Sequence, residues 1–333
     1  MVSPRRILGT VAGLVGLVAV VGLVLTLVPS DHYLVLPDRA RPADPLVAVP
    51  GEDGDAGEDG IYMVDVTIGR ASLLERLFPE IREGASLVPA HVINPTGVSD
   101  RQRRRASLQA MSRSQLVAIT VALRELGHDV DVEPAGAEVV LVQPGTPADG
   151  ELEVGDVIVA ANGEEIETIA GLRQAMAPLE PGDPVELAVE RGEDDRLDLT
   201  LETEDSSAAP GRAVVGVQVR DAEDFDFPVD VEIDAGSIGG PSAGLAFALE
   251  IVNTLGDDVA RGRKVVATGE LTLGGEVARV GGLKQKTIAA RRAGADVFLV
   301  PRENADEARA EAGDLEIVPV STFAEALSLL TTP

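Results

Sequence analysis

Ser242 stands in the stretch Gly239-Gly240-Pro241-Ser242-Ala243-Gly244, just before Leu245 to Leu255, a run rich in Ala and Leu that reads as a helix. Glycines allow tight turns and close approach of a substrate backbone. A helix N-terminus offers free N–H groups and a partial positive charge. Such a setting suits a nucleophile whose attack creates an oxyanion, with Gly240, Pro241, Ala243 and Gly244 forming the loop around it. A plain serine N-cap after a glycine turn produces the same sequence.

A serine nucleophile needs a base. The three histidines are His32, His91 and His128, so none follows residue 128, and there is no cysteine. A Ser-His-Asp triad therefore cannot be built from this region alone, and carboxylates and lysine are left. Arg cannot serve, because it stays protonated. Of 28 basic residues, 25 are Arg and three are Lys: Lys264, Lys284 and Lys286. Two of the three lie in Leu283-Lys284-Gln285-Lys286, in the first turn of a helix that follows Gly281-Gly282. Burial and a nearby helix N-terminus both lower a lysine pKa. Lys284 and Lys286 are two positions apart and point to different sides of a helix, so they cannot share the role. For either one, the other reading is an exposed helix lysine.

These segments together resemble the proteolytic domain of Lon proteases. The resemblance is carried by Gly240-Pro241-Ser242-Ala243-Gly244, by Thr268-Gly269-Glu270-Leu271-Thr272-Leu273-Gly274-Gly275-Glu276-Val277, and by Val280-Gly281-Gly282-Leu283-Lys284-Gln285-Lys286. It implies that Ser242 is the nucleophile, Lys286 the base and Thr268 the residue that orients the lysine. No cofactor and no metal are implied. Assembly into a homo-oligomeric ring is. Two departures stand out. Many Lon proteins carry an acid two positions before the proline, where this chain has Gly239. No GxxxxGK[ST] phosphate loop occurs, which argues against ATP-driven unfolding within this chain.

Elements that position these residues are expected as alternating strands and helices. Strands are read at Val214 to Val219, Val229 to Ile233, Val265 to Thr268, Glu276 to Val280, Val297 to Val300 and Leu315 to Val320. Helices are read at Leu283 to Arg292, Asn304 to Ala312 and Phe323 to Leu330. Residues 212–333 thus form an α+β domain.

Residues 130–203 read as a compact β-rich unit with strands at Glu138 to Gln143, Asp156 to Ala160, Val185 to Glu190 and Arg196 to Thr203. A helix fits at Thr168 to Ala177. The unit resembles a PDZ domain through Val142-Gln143-Pro144-Gly145-Thr146-Pro147-Ala148, Leu152-x-x-Gly155-Asp156-Val157-Ile158 and Asn162-Gly163. That implies peptide binding by strand addition, with Val139, Val140 and Leu141 on the receiving edge and Thr168 to Met176 as the flanking helix. A rigid spacer is the other reading. Residues 204–211 are polar with Pro and Gly and read as a linker.

Residues 31–129 are expected as a β-strand and helical elaboration before the PDZ-like unit. Ile61 to Ile68 reads as a strand, Ala71 to Ile81 as a short helix, and Ser99 to Leu126 as a long helix capped by Ser99 or Asp100 and closed by Gly127. Arg101, Arg103, Arg104 and Arg105 read as a solvated helix face or as a contact for anionic lipid or acidic peptide. Gly51 to Gly60 reads as an acidic hairpin loop. An EF-hand counted from Asp53 would need Glu at its twelfth position, and that residue is Val64.

Residues 1–30 are read as an uncleaved signal anchor. Ile7 to Val28 are 22 consecutive uncharged positions, about 33 Å of helix and enough to span a bilayer core. Arg5 and Arg6 place the N-terminus in the cytoplasm and the catalytic domain beyond a cell membrane. The fold class is thus multidomain: a transmembrane helix, a PDZ-like domain with helical elaboration, and a C-terminal Lon-type domain. With anchor and PDZ unit, the chain resembles the membrane-anchored, PDZ-containing Lon-like proteases, the YlbL-type group.

Composition bounds the partners. The formal charge is −28 and aromatics make up 2% of 333 residues, so a phosphate backbone is repelled and stacking platforms are scarce. Nucleic acid is excluded as a partner, and polypeptide substrates fit. The expected function is an ATP-independent serine endopeptidase acting on unfolded or membrane-proximal proteins. Its rival is a membrane-tethered PDZ peptide-binding protein with an inactive protease-like domain, towards which only Gly239 leans.

Overall fold

The computed structural model describes residues 4–51, 59–94, 97–192, 195–256 and 258–332, and of residues 4–12 and 18 only the backbone. Most of the acidic loop, residues 52–58, lies outside the described residues.

An N-terminal helix forms over Pro4–Leu27. The expected membrane span is corrected here: among the described residues, no helix is long and apolar enough to cross a membrane. The described side chains of this helix begin at Gly13, and Gly16 and Gly22 lie among them. The transmembrane helix in the expected fold class is withdrawn, and with it the single-pass placement at the cell membrane.

Six strands build the sheet that carries the site. Their spatial order is Glu316–Val320, Val297–Pro301, Lys264–Ala267, Gly60–Ser72, Pro29–Pro42 and Ser86–Pro89. The first four are parallel neighbours, and Pro29–Pro42 runs antiparallel to the strands on either side. Val265, Val266, Ala267, Phe298, Leu299 and Val300 are all fully buried. That is why these strands read as unbroken apolar runs: a parallel sheet is covered on both faces.

The long helix forms over Asp100–Glu125, with Ser99 and Gln102 closing a capping box. Gly127 then takes φ +86°, a left-handed stop that suits glycine. Met111, Val117, Ala118, Val121 and Ala122 bury its inner face against the Gly244–Leu255 helix, in one core with Ile61, Met63 and Val265. Each large apolar side chain buried this way contributes about 1.5–3 kcal/mol. Residues 31–129, expected as an elaboration before the PDZ-like unit, therefore supply two central strands and a core helix to the catalytic fold.

A second sheet runs in the order Val217–Asp226, Asp131–Val142, Val157–Ala161, Pro184–Arg191 and Asp195–Glu202. It has its own core, which includes Val139, Ile158, Val185 and Leu187. The helix Ile169–Met176 is capped by Thr168. Two sequence expectations change here. Residues 204–211 are not a free linker, because Glu204–Asp205 pairs with Ala213–Val214 in a short hairpin. The strand expected at Val214 to Val219 belongs to the PDZ-like sheet rather than to the catalytic one. Its alternation fits either sheet, and only tertiary pairing decides.

Candidate active site

Ser242 lies in a single 3₁₀ turn, Pro241–Ala243, between Gly240 and the helix Gly244–Leu255. Gly240 has φ +90°, a backbone state that favours glycine. No side chain caps either helical segment, so the N-cap reading of Ser242 fails. Its hydroxyl instead meets Lys286 Nζ at 2.6 Å.

Lys286 rises from the first turn of the helix Leu283–Arg292. Gly282 starts that helix at φ +70°, and a Cβ there would come within 3.0 Å of Val66 Cγ1. Glycine is favoured on both counts. The Lys286 side chain is almost wholly buried, at 2% exposure. Burial pushes its pKa down to about 8, while the charge of Asp65 pulls it part of the way back up. Lys284, by contrast, is 41% exposed and faces Glu311 at 3.7 Å, so the exposed-lysine reading holds for it.

Thr268 follows the strand Lys264–Ala267 and is fully buried. Its hydroxyl accepts from Lys286 Nζ at 3.0 Å and donates to the Ser242 carbonyl at 3.0 Å. Gly269 donates its N–H to the same carbonyl at 2.9 Å. Ser242, Lys286 and Thr268 thus form one hydrogen-bonded cluster at the C-terminal end of a parallel strand.

The loop residues differ in what they have to offer. Gly240 donates its N–H to the Ser107 carbonyl at 2.7 Å, and Gly244 donates to Pro241. Pro241 has no N–H. The oxyanion donors left in this loop are the N–H groups of Ser242 and Ala243, at the unsatisfied start of the turn.

The long helix braces the loop. Besides Ser107, Ser114 Oγ donates to the Pro241 carbonyl at 2.8 Å, and Arg104 donates to the Ser237 carbonyl at 2.8 Å. Of the basic run, Arg105 pairs with Glu153, and Arg103 lies 4.6 Å over the Tyr33 ring. These arginines hold elements together, which a charge count alone did not reveal.

Asp65 was missed in the sequence. It sits on Gly60–Ser72, where Met63 pairs with Ala267 in parallel register. Two residues on, Asp65 lines the same cleft as Ser242 and Lys286. Burial holds its carboxyl above the usual range, while the Val66 N–H and the Lys286 charge draw it back. The clue available was an acid inside an otherwise apolar strand, Met63-Val64-Asp65-Val66. A cleft of about 1160 Å³ runs past Ser242 and Lys286, along Asp65 to Ile68, and up to Arg103 and Arg104.

In the PDZ-like unit, Val139, Val140 and Leu141 lie on Asp131–Val142, an inner strand flanked by Val217–Asp226 and Val157–Ala161. Val157–Ala161 pairs only with Ala137 and Glu138, while Val217–Asp226 pairs along the whole strand, so the expected receiving edge is covered on one side and Val139 is bonded on the other. The outer strand is Val217–Asp226, and its Asp221 accepts the N–H of Ile169 on the flanking helix at 2.7 Å. It was not singled out because its partner strand lies some 80 positions earlier.

Comparison with known proteins also finds two domains, at bounds other than those of the two sheets. Residues 209–332 match the Lon protease (S16) C-terminal proteolytic domain, and residues 99–203 match the PDZ domain. The Lon protease of Chloroflexus aggregans is 29% identical over 338 aligned positions, covering 91% of this chain and 40% of that protein. The Lon protease of Azorhizobium caulinodans is 45% identical over 107 residues, 31% of this chain and 12% of that protein. The chain thus spans well under half the length of these relatives. The crystal structure of the PDZ domain of an SdrC-like protein from Listeria monocytogenes is 20% identical, with a TM-score of 0.24, over 26% of this chain and 87% of that one. The chain carries a serine-protease domain of the Lon type and a PDZ domain.

Proposed function

We propose that this chain is an ATP-independent serine endopeptidase that cleaves unfolded polypeptides with a Ser242–Lys286 dyad. One observation carries the reading: a buried lysine, with its pKa lowered to about 8, lies 2.6 Å from a serine hydroxyl that caps no helix. The protease-like but inactive alternative has no counterpart to this contact, because an idle lysine gains nothing from burial.

The chemistry follows from the cluster. Neutral Lys286 takes the Ser242 proton as Oγ attacks the peptide carbonyl carbon. The N–H groups of Ser242 and Ala243 receive the oxyanion. The ammonium of Lys286 then gives its proton to the leaving nitrogen, and the C–N bond breaks. Water attacks the acyl-enzyme ester as Lys286 takes its proton, the C–Oγ bond breaks to release the carboxylic acid, and Lys286 returns the proton to Ser242 Oγ. Thr268 keeps the lysine aimed throughout. Within these 333 residues no phosphate-loop motif occurs, which supports cleavage without ATP. The PDZ unit recognises or regulates substrates through an extended peptide added beside Val217–Asp226.

The test is casein cleavage without ATP by the protein, by Ser242→Ala and by Lys286→Ala. Loss in both variants is expected. Equal activity in all three would overturn the reading.

A further inference from the structure

We infer that Ser114, on the long helix, is a positioning residue of the oxyanion site: its hydroxyl holds the Pro241–Ser242 peptide plane so that the Ser242 N–H is aimed at the substrate. This rests on the peptidase reading. Ser114 stands in the buried stripe of Asp100–Glu125, in step with Met111, Val117, Ala118 and Val121. A hydroxyl in such a stripe costs free energy unless it is hydrogen-bonded. Serines and threonines inside a helix can bond back to the carbonyl four positions earlier. Ser112 does so to Leu108, and Thr120 to Leu116. Ser114 instead leaves its own helix and donates to the Pro241 carbonyl, 127 positions away, at 2.8 Å.

That carbonyl belongs to the same peptide unit as the Ser242 N–H. A trans peptide is planar, with its C=O and N–H pointing in opposite directions, so fixing one aims the other. The next peptide unit is treated alike. The Ser242 carbonyl accepts from Thr268 Oγ1 and from the Gly269 N–H, which aims the Ala243 N–H. Both oxyanion donors are thus pinned through their carbonyls. The Gly244 N–H also bonds the Pro241 carbonyl, but Gly244 adjoins the same turn and would move with it. Ser114 stands on a separate element and ties the turn to the core. Room for its hydroxyl depends on a glycine: a Cβ at residue 244 would lie 2.9 Å from Ser114 Oγ. Ser114 itself is buried and lies outside the cleft lining. It acts through the loop, because oxyanion donors are effective when they are aimed before the charge develops.

The experiment uses the full chain, an unstructured fluorogenic peptide and a peptide boronate of related sequence. The tetrahedral adduct of the boronate with Ser242 puts an oxygen where the oxyanion forms. Ser114→Ala removes the hydroxyl but leaves the Pro241 carbonyl its bond from Gly244, so circular dichroism should be unchanged. The variant is expected to lose about tenfold in kcat with KM nearly kept, the effect of one hydrogen bond. Boronate affinity should fall by about the same factor. Ser114→Thr, which keeps a donor, should recover most of both. The acidic limb of the pH profile should stay in place, because Lys286 is untouched. If Ser114→Ala keeps its kcat, or loses it with boronate affinity kept, Ser114 does not aim the oxyanion donor. A moved acidic limb would place its effect on Lys286 instead and overturn the inference too. If wild type and Ser242→Ala cleave alike, the peptidase reading itself falls.

Discussion

Gly239 is pressed against Ser107. A Cβ at residue 239 would lie 2.4 Å from Ser107 Oγ and 3.2 Å from the Ser107 carbonyl carbon. The next residue, Gly240, donates its N–H to the Ser107 carbonyl at 2.7 Å. The position where many Lon proteins carry an acid is crowded by the long helix. Gly239→Asp is therefore expected to displace the serine loop, with a loss of at least about tenfold in kcat/KM and a destabilisation of about 1–3 kcal/mol. Adding Ser107→Gly removes the side-chain clash but not the backbone one, so recovery should be partial. Peptidase assays and urea melts of the single and double variants check this. Full activity in Gly239→Asp alone would show that the loop has room.

In the proposed dyad, Lys286 sets the pH dependence. Its pKa is lowered to about 8, and only its neutral form can accept the Ser242 proton. Activity as kcat/KM is expected to rise tenfold per pH unit below about 8 and then level. Lys286→Arg keeps a charge but stays protonated, so it should be inactive at every pH. A profile already flat from pH 6 would contradict a lysine base.

Asp65 acts on that same profile. Its charge favours protonated Lys286 and so opposes the effect of burial. Asp65→Asn removes the charge with little change in size. The lysine pKa should fall further, and the acidic limb of kcat/KM should shift to lower pH. A limb that stays in place, or moves up, would separate Asp65 from the dyad. Comparing the pH profiles, rather than one rate, distinguishes this from general disruption.

The two residues of the proposed dyad were picked out by local signals. A Gly-Gly-Pro turn before a helix marks Ser242, and scarce Lys in an Arg-rich chain marks Lys286. The helix Leu283–Arg292 and the strand Val297–Pro301 formed within a residue of their expected ends. What was not legible depends on pairing between distant segments. Asp65 reaches the site only because Gly60–Ser72 lies parallel to Lys264–Ala267, roughly 200 positions later. The outer strand of the PDZ-like sheet, Val217–Asp226, follows that unit's other strands in sequence and reads equally well as the start of the catalytic domain. The N-terminal apolar run shows the opposite failure. Its composition suggested a membrane span, whereas the described residues contain no helix long and apolar enough for one.

Glu250 gives a stability prediction independent of catalysis. It lies on the helix behind Ser242, 2% exposed, and its Oε2 has no hydrogen-bond partner. Burial, with a smaller contribution from Asp44, pushes its pKa up to about 7 from an ordinary 4.5. The folded form then holds a proton that the unfolded chain releases between those two values. Stability from this group is complete below about pH 4.5 and is lost as pH rises through 7. The 2.5-unit gap corresponds to about 3 kcal/mol. Relative to Glu250→Gln, which cannot titrate, wild type should lose about 3 kcal/mol between pH 4 and pH 8 in urea melts. Other titrations occur in both proteins and cancel in that difference. A constant difference between the two across this range would mean that Glu250 is charged and satisfied in the folded state.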